Sequence, residues 1–546
     1  MINRDYLEKK LPIQLMLILF AAFSIFCLCL CFILSERFST LSIHGIDSIA
    51  FAEYLNSIYN KTSIGDLLHN NGYGYGWIFW TALAIFCLPG KIMFDMGLTS
   101  VVYIVSTRIF CLIFSLLAVY VTYKLFHLYI KNQWLLCTAT LLCPIFPTLM
   151  YYSQRPSTTP LLAFFGALCV YFMLRDEEIT KKSFFLSCLS LAACLATKLT
   201  SVNFVPIFLL LMLSRFHFKF SKENIIQWFK SGIVSIYVWI FLMSPAIALY
   251  PFFPKISKLS IDEFVQFISL ANGGNVGLLH NFENGIMGGF TYKLVFIFLI
   301  LCFVANIICK FKKNDSHKMD YLMLVVGYVL SSILVCVIAG NGVWFTVSYG
   351  MTSSFIPLLG LAVFENIDKP SIKKAAIGSV CILLVVIQGN YFYKECHAVG
   401  SSLSPLEFKH EFELHKSDVL LASNLNNHVV SLLKNQEGNT DCSETIVLSD
   451  WSLPKFLSNI DTPQYVSYSI WSNIQDYDNV EVFVLDKDKT ERYSCYGEGH
   501  YADETLVAQF AEDEKSRNEL ITNGTFKGEH YTLVDESEEY YMFLRN

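Results

Sequence analysis

Long uncharged runs separated by short charged connections dominate most of this chain. Leu11 to Leu34 carries no charged side chain over 24 residues, about the length of helix that crosses a hydrocarbon core. Ten further runs share the pattern: 99–123, 133–150, 157–174, 184–198, 200–213, 231–250, 291–309, 319–340, 344–364 and 375–393. The pair at 184–213 is broken only around Lys198, which predicts a tight hairpin rather than one long helix. Segment 75–89 (YGWIFWTALAIFCLP) is apolar too, but short and rich in aromatics. After residue 393 the pattern changes. ETIVLSDW, PQYVSYSIW and VEVFVLD are brief β-rich runs, and helix-like periodicity surrounds Leu420 to Leu433 and Leu506 to Leu520. The expected fold is therefore an α-helical polytopic membrane domain of eleven spans over 1–393, followed by a small mixed α/β domain over 394–546.

Composition agrees with this reading. Of 546 residues 54% are hydrophobic and 16% charged, against roughly 25% charged in an average soluble domain. The net charge of −6 is divided along the chain, because 394–546 holds 28 acids against 12 bases and 1–393 holds 18 acids against 28 bases. With 75–89 lying along the interface as a juxtamembrane helix, 19 bases fall in the connections on one side of the membrane. After residue 98 the other side keeps only Arg155, Lys198, Lys255 and Lys258. Threading 75–89 across the bilayer would reverse this, against the positive-inside bias. The expected topology has the N-terminus inside, an uncleaved first span preceded by Arg4, Lys9 and Lys10, and the loops 35–98 and 251–290 outside with the acidic tail. Basic excess confined to short connections points to membrane lipids rather than nucleic acid. Fourteen of the 17 cysteines lie in or beside apolar runs, and the other three, Cys396, Cys442 and Cys495, define no disulfide framework.

The candidate chemistry gathers on the outer side. Asp47, in HGIDSIAFAEYL soon after the first span, shares a helical face with Ala50 and Tyr54. There it can deprotonate an acceptor hydroxyl, or it is a solvated loop acid or helix cap. Glu53 stands next to that face as a second carboxylate. Arg108 lies inside the second run, roughly 10 to 14 Å beyond its start at 1.5 Å per residue. A guanidinium there is costly unless paired or wet, so it is a functional candidate, with snorkelling as the plain alternative. Arg155 in YYSQRPSTTP and Lys198 in CLATKLTS sit at outer ends of spans, where they can bind phosphate or anchor to headgroups. Tyr73 and Tyr75, in NNGYGYGWIFW, join aromatic rings to glycines that permit close backbone approach. Neither a Walker nor a Rossmann sequence occurs, and His44, His69 and His280 lack metal-ligand spacing.

In this order and sidedness the residues resemble the GT-C superfamily of membrane glycosyltransferases, specifically protein O-mannosyltransferases and the lipid A aminoarabinose transferase. The family pattern has an acid after the first span, juxtamembrane helices, an arginine in the second span, an outer Tyr-Ser-Arg turn and a Thr-Lys turn after the fifth. It maps onto Asp47, 75–89, Arg108, Tyr152-Ser153-Gln154-Arg155 and Thr197-Lys198. Three positions depart from it: Ser48 replaces a second acid, Gly72-Tyr73-Gly74-Tyr75-Gly76 replaces His-Pro-Pro-Leu, and Val347-Ser348-Tyr349 stands for a late Arg-Tyr element.

The resemblance implies inverting transfer of a sugar from a polyprenyl-phosphate donor to a lipid, glycan or protein acceptor at the extracytoplasmic face. Asp47 would be the base and Arg108, Arg155 and Lys198 the phosphate site, with Glu53, Tyr54, Tyr73, Tyr75 and Tyr349 as substrate contacts. No cofactor follows from the sequence; a divalent metal is compatible with the family, and no metal ligand is assigned. The compact architecture favours a bacterial inner membrane over the endoplasmic reticulum, where Asn60-Lys61-Thr62 and Asn523-Gly524-Thr525 would be glycosylation sequons. The rival class is a lipid-linked-oligosaccharide flippase or polysaccharide assembly protein, for which inverted repeats and broken spans would speak. The tail is expected to present or select the acceptor.

Overall fold

The computed structural model describes residues 8, 10–33, 51, 54, 55, 57–61, 63–68, 75–96, 100–143, 157–219, 221–253, 282, 286, 293–338, 350, 352–398, 425, 428–435, 445–449, 464–467, 474–487, 504–537 and 540–546. The chain divides into two compact units. One comprises Met1–Cys31, Ser57–Cys87 and Arg108–Gly400; the other comprises Phe32–Asn56, Leu88–Thr107 and Ser401–Asn546.

Among the described residues, five helices are long and apolar enough to cross a membrane: Val105–Tyr129, Lys222–Met243, Lys293–Lys312, Lys318–Val337 and Pro370–Ile387. Shorter apolar helices cover Leu11–Ala22, Trp77–Met93, Thr159–Leu174, Leu199–Arg215 and Phe355–Asn366. The helices of the apolar part are α1 (Leu11–Ile33), α2 (Trp77–Asp95), α3 (Ser100–Tyr129), α4 (Gln133–Leu141), α5 (Thr159–Leu174), α6 (Lys181–Thr197), α7 (Phe204–Arg215), α8 (Lys222–Met243), α9 (Lys293–Lys312), α10 (Lys318–Ile338) and α11 (Pro370–Ala398). The 133–150 run is helical only to Leu141 among the described residues. Cys143 precedes Pro144, whose ring disfavours helical backbone at the residue before it. Within 344–364, the described part is a single turn, Phe355–Leu358, continued as a 3₁₀ segment, Leu359–Asn366. A Cβ on Gly360 would lie 2.6 Å from the Phe303 backbone nitrogen, so glycine lets this tightened segment press against α9. Helix α2 continues to Asp95, six residues past the apolar segment at 75–89, with Pro89 inside it.

The hairpin around Lys198 forms. Helix α6 ends at Thr197, Lys198 is extended (φ −160°, ψ 135°), and a 3₁₀ turn, Leu199–Asn203, leads into α7. Helices α7 and α10 run antiparallel, with Ser214 at one end of their contact bonded to Asp320. Gly327 lies in the middle, where a Cβ would come within 2.9 Å of the Ile207 Cα.

The charged connections of the first unit meet at one end of the bundle. Arg215 pairs with Asp320 at 3.0 Å and donates to the carbonyls of Asp176 and Glu177. His317 lies 3.3 Å from the same carboxylate, and the Tyr129 ring packs on His317 and Tyr321. Glu365 accepts from the backbone of both Lys131 and Asn132 at 2.6 Å. Lys313 donates to Asn366, and Lys374 pairs with Glu8. These are the connections that carry most of the basic residues. In the loop after α5, burial pushes the Asp176 carboxyl up, but bonds from Ser183 and Thr180 and the Arg175 charge together hold it below its ordinary value.

The described tail residues of the second unit build a six-stranded sheet in the order β2-β1-β3-β6-β5-β4. The strands are β1 (Ile446–Ser449), β2 (Gln464–Ser467), β3 (Val480–Asp486), β4 (Thr525–Phe526), β5 (Glu529–Glu536) and β6 (Tyr540–Arg545). Strands β2, β1 and β3 are parallel, and β6 joins β3 antiparallel. Both faces are covered: Val429, Leu433, Val447, Val482 and Met542 pack on one side. Leu448, Phe483, Leu520, Tyr531 and Phe543 pack on the other, with Leu520 from α12 (Glu504–Asn523). Lys527 and Gly528 both take positive φ, which suits the two-residue hairpin between β4 and β5.

Candidate active site

Two sequence features that lie far apart along the chain meet in the first unit. Helix α6 starts beside the charged end and runs 17 residues, about 25 Å at helical rise, so its Thr-Lys terminus lies at the opposite end of the bundle. There the Gly76 nitrogen donates to the Thr197 carbonyl at 3.1 Å. A Cβ on Gly76 would fall 1.7 Å from the Ala196 carbonyl oxygen and 3.4 Å from the Met243 Cα. Only glycine allows this approach, so the Gly-Tyr string matters here through its backbone. The joint sets Tyr75 beneath the next residue along: the Lys198 ammonium stands 4.9 Å from the centre of the Tyr75 ring. Tyr75 is held edge-on to Phe79 at 5.3 Å, and Phe79 and Trp80 are fully buried. The Lys198 carbonyl accepts from the Ser201 nitrogen and hydroxyl at 3.1 and 2.8 Å. That fixes the extended residue between helix and 3₁₀ turn.

The same junction holds two hydroxyls that the sequence pattern does not single out. Ser244 ends α8 and precedes Pro245; its nitrogen donates to Ile240, yet its hydroxyl caps nothing. Both Ser244 and Thr200 are buried, and neither hydroxyl has a hydrogen-bond partner among the described residues. Met243 and Ala196 form the core of the junction, with Ile78, Leu199 and Trp239 against them. The available sequence signal was the Ser-Pro step at the end of an apolar run.

Arg108 lies within α3 and is only 2% exposed. Its helix packs on α2 through Phe110, 6.1 Å from Phe79 and 5.7 Å from Phe86. One turn on, the Cys111 sulfur accepts from the Ser157 nitrogen at 3.3 Å, which joins α3 to the start of α5. Tyr54 is half-buried and helical, between the buried Phe51 and Leu55, and belongs to the second unit. Asp47, Glu53, Tyr73, Arg155 and Tyr349 lie outside the described residues, as do Cys442 and Cys495. No group of three His, Cys, Asp or Glu able to hold a metal occurs among the described residues.

Chemically, the junction offers a cation held over an aromatic face, with buried hydroxyls beside it. The ammonium suits a phosphate as a point charge, and the ring and hydroxyls suit a polyol.

No protein-family model matches the chain, and no curated protein matches it in sequence. Among solved structures it is similar to ArnT from Cupriavidus metallidurans in the apo state, with a TM-score of 0.50 and 12% identity over 96% of this chain and 97% of that one. ArnT from the same organism bound to undecaprenyl phosphate gives a TM-score of 0.47 and 10% identity, again over 96% and 97%. At this identity the likeness is one of fold, and the apo structure extends it over nearly the whole of both chains: this is a membrane protein with an ArnT-like fold.

Proposed function

We propose that this protein is an integral-membrane glycosyltransferase that moves a sugar from a polyprenyl-phosphate donor to an acceptor at the extracytoplasmic face. The observation that carries the reading is the contact between Lys198 and Tyr75. It joins a phosphate-binding cation to a sugar-stacking ring, at the end of the bundle away from the charged connections. Arg108, buried within an apolar helix, is a second cation at the kind of position that marks functional residues in a membrane.

In the proposed reaction Asp47 takes the proton of an acceptor hydroxyl. The resulting oxygen attacks the anomeric carbon from the face opposite the phosphate, and the bond from that carbon to the phosphate oxygen breaks with inversion. The electron pair leaves with the carrier phosphate, which gains a negative charge as the bond opens. Lys198, Arg108 and Arg155 are assigned to stabilise that charge. Glu53, Tyr54, Tyr73 and Tyr349 are proposed substrate contacts, and the tail is assigned to acceptor selection.

Radiolabelled sugar supplied on a polyprenyl phosphate to membranes containing the protein tests this. Transfer to an acceptor is expected, and Asp47→Asn should reduce it by about 10²- to 10⁴-fold while donor binding persists. Passage of the labelled carrier across the membrane without transfer would favour the flippase class instead.

A further inference from the structure

We infer that Thr200 and Ser244 form a sugar-reading subsite beside Lys198, which distinguishes the sugar-bearing donor from the bare carrier phosphate. The inference rests on the donor class proposed above and goes further by assigning recognition of the sugar to two particular hydroxyls.

A buried hydroxyl without a hydrogen bond is unfavourable, so native chains seldom keep one without a partner. Two of them lie in the junction that holds Lys198, where Leu199 and Met243, the chain neighbours of Thr200 and Ser244, pack in one apolar cluster. Thr200 follows Lys198 by two residues in the 3₁₀ turn, and Ser244 follows Met243, the residue against Gly76. Neither hydroxyl bonds to any other described residue. Ser244 also precedes a five-residue helix, Pro245–Leu249, where serine normally caps, yet its hydroxyl is not used in that way.

The geometry around them narrows the ligand class. A nucleotide would call for a glycine-rich phosphate loop, which the chain lacks. An alkyl chain would leave both hydroxyls unsatisfied. A sugar pyranose or furanose ring supplies hydroxyls that both donate and accept, carries an apolar face that suits an aromatic ring, and is joined directly to the phosphate that Lys198 would hold. Thr200 and Ser244 are thus specificity-determining residues, outside the bond-making step.

The test is a binding measurement on the full-length protein in lipid nanodiscs. Its probes are a polyprenyl phosphate and the same carrier bearing a hexose, a pentose or an amino pentose. Wild-type protein should bind at least one sugar-bearing probe more tightly than the bare carrier. Thr200→Val with Ser244→Ala should erase that preference, by about three- to tenfold per hydroxyl, and leave the bare carrier within about twofold. Thr200→Ser and Ser244→Thr, which keep the hydroxyls, should restore it and so exclude a folding defect. Equal loss for all probes, no loss, or no preference in the wild type would overturn the subsite. Lys198→Gln addresses the underlying reading separately: unchanged affinity for the bare carrier would reject the phosphate role, whatever the hydroxyl variants do.

Discussion

At the scale of single residues, Gly76 is the most constrained position in the described junction. A methyl group there would occupy the space of a backbone carbonyl, which cannot rotate away as a side chain would. Gly76→Ala should cost about 1–3 kcal/mol, the usual range for overpacking, seen as a lowered Tm in detergent together with lost donor binding. In the tail, burial pushes the Tyr531 hydroxyl up to about 12, with Glu481 and Glu529 adding to it and Arg545 opposing. Its hydrogen goes to the Val480 carbonyl at 2.8 Å. Because the folded value is raised, the stabilisation is complete below the ordinary tyrosine value near 10 and is lost as pH climbs from there through about 12. Alkaline unfolding followed by tyrosinate absorbance should therefore steepen over that interval, and Tyr531→Phe should flatten it.

At the scale of elements, what the sequence discloses depends on whether the signal is local. The Lys198 hairpin, the core strands of the tail and the apolar helices follow from periodicity. The end of the described helix at Leu141, just ahead of Cys143 and Pro144, follows from the effect of a proline on the residue before it. The β5–β6 pair is not legible from alternation: HYTLVDE is weakly apolar and stands beside acids, so it hides among loops, and YYMFLR is an unbroken apolar run up to Arg545. The meeting of Tyr75 with Lys198 is not legible at all, because it depends on a glycine whose partner, Thr197, lies 121 positions along the chain. Arg215 and Asp320 pose the same problem: each reads as a loop charge at a span end, yet both are buried, at 6% and 5% side-chain exposure. Removing one partner of such a pair typically costs 3–5 kcal/mol, whereas replacing both with apolar residues of similar volume is close to neutral. Asp320→Asn should lower the Tm sharply in detergent, and Arg215→Met combined with Asp320→Leu should recover most of the loss.

At the scale of the whole molecule, the contacts among connections supply a test of sidedness that charge counting alone does not. Glu8, Lys131, Asp176, Arg215, His317, Asn366 and Lys374 belong to connections assigned to one side by their bases, and all take part in the contacts of one bundle end. A cysteine at Lys313 should accept a membrane-impermeant reagent only after the membrane is opened. One at Lys527 should accept it in intact cells, and the reverse result would invert the topology. Within the first unit, every ion pair between described residues also lies at that end. High salt, which screens the exposed pairs among them, should therefore loosen that end of the unit before the Gly76–Thr197 joint, which is held by packing and a backbone hydrogen bond.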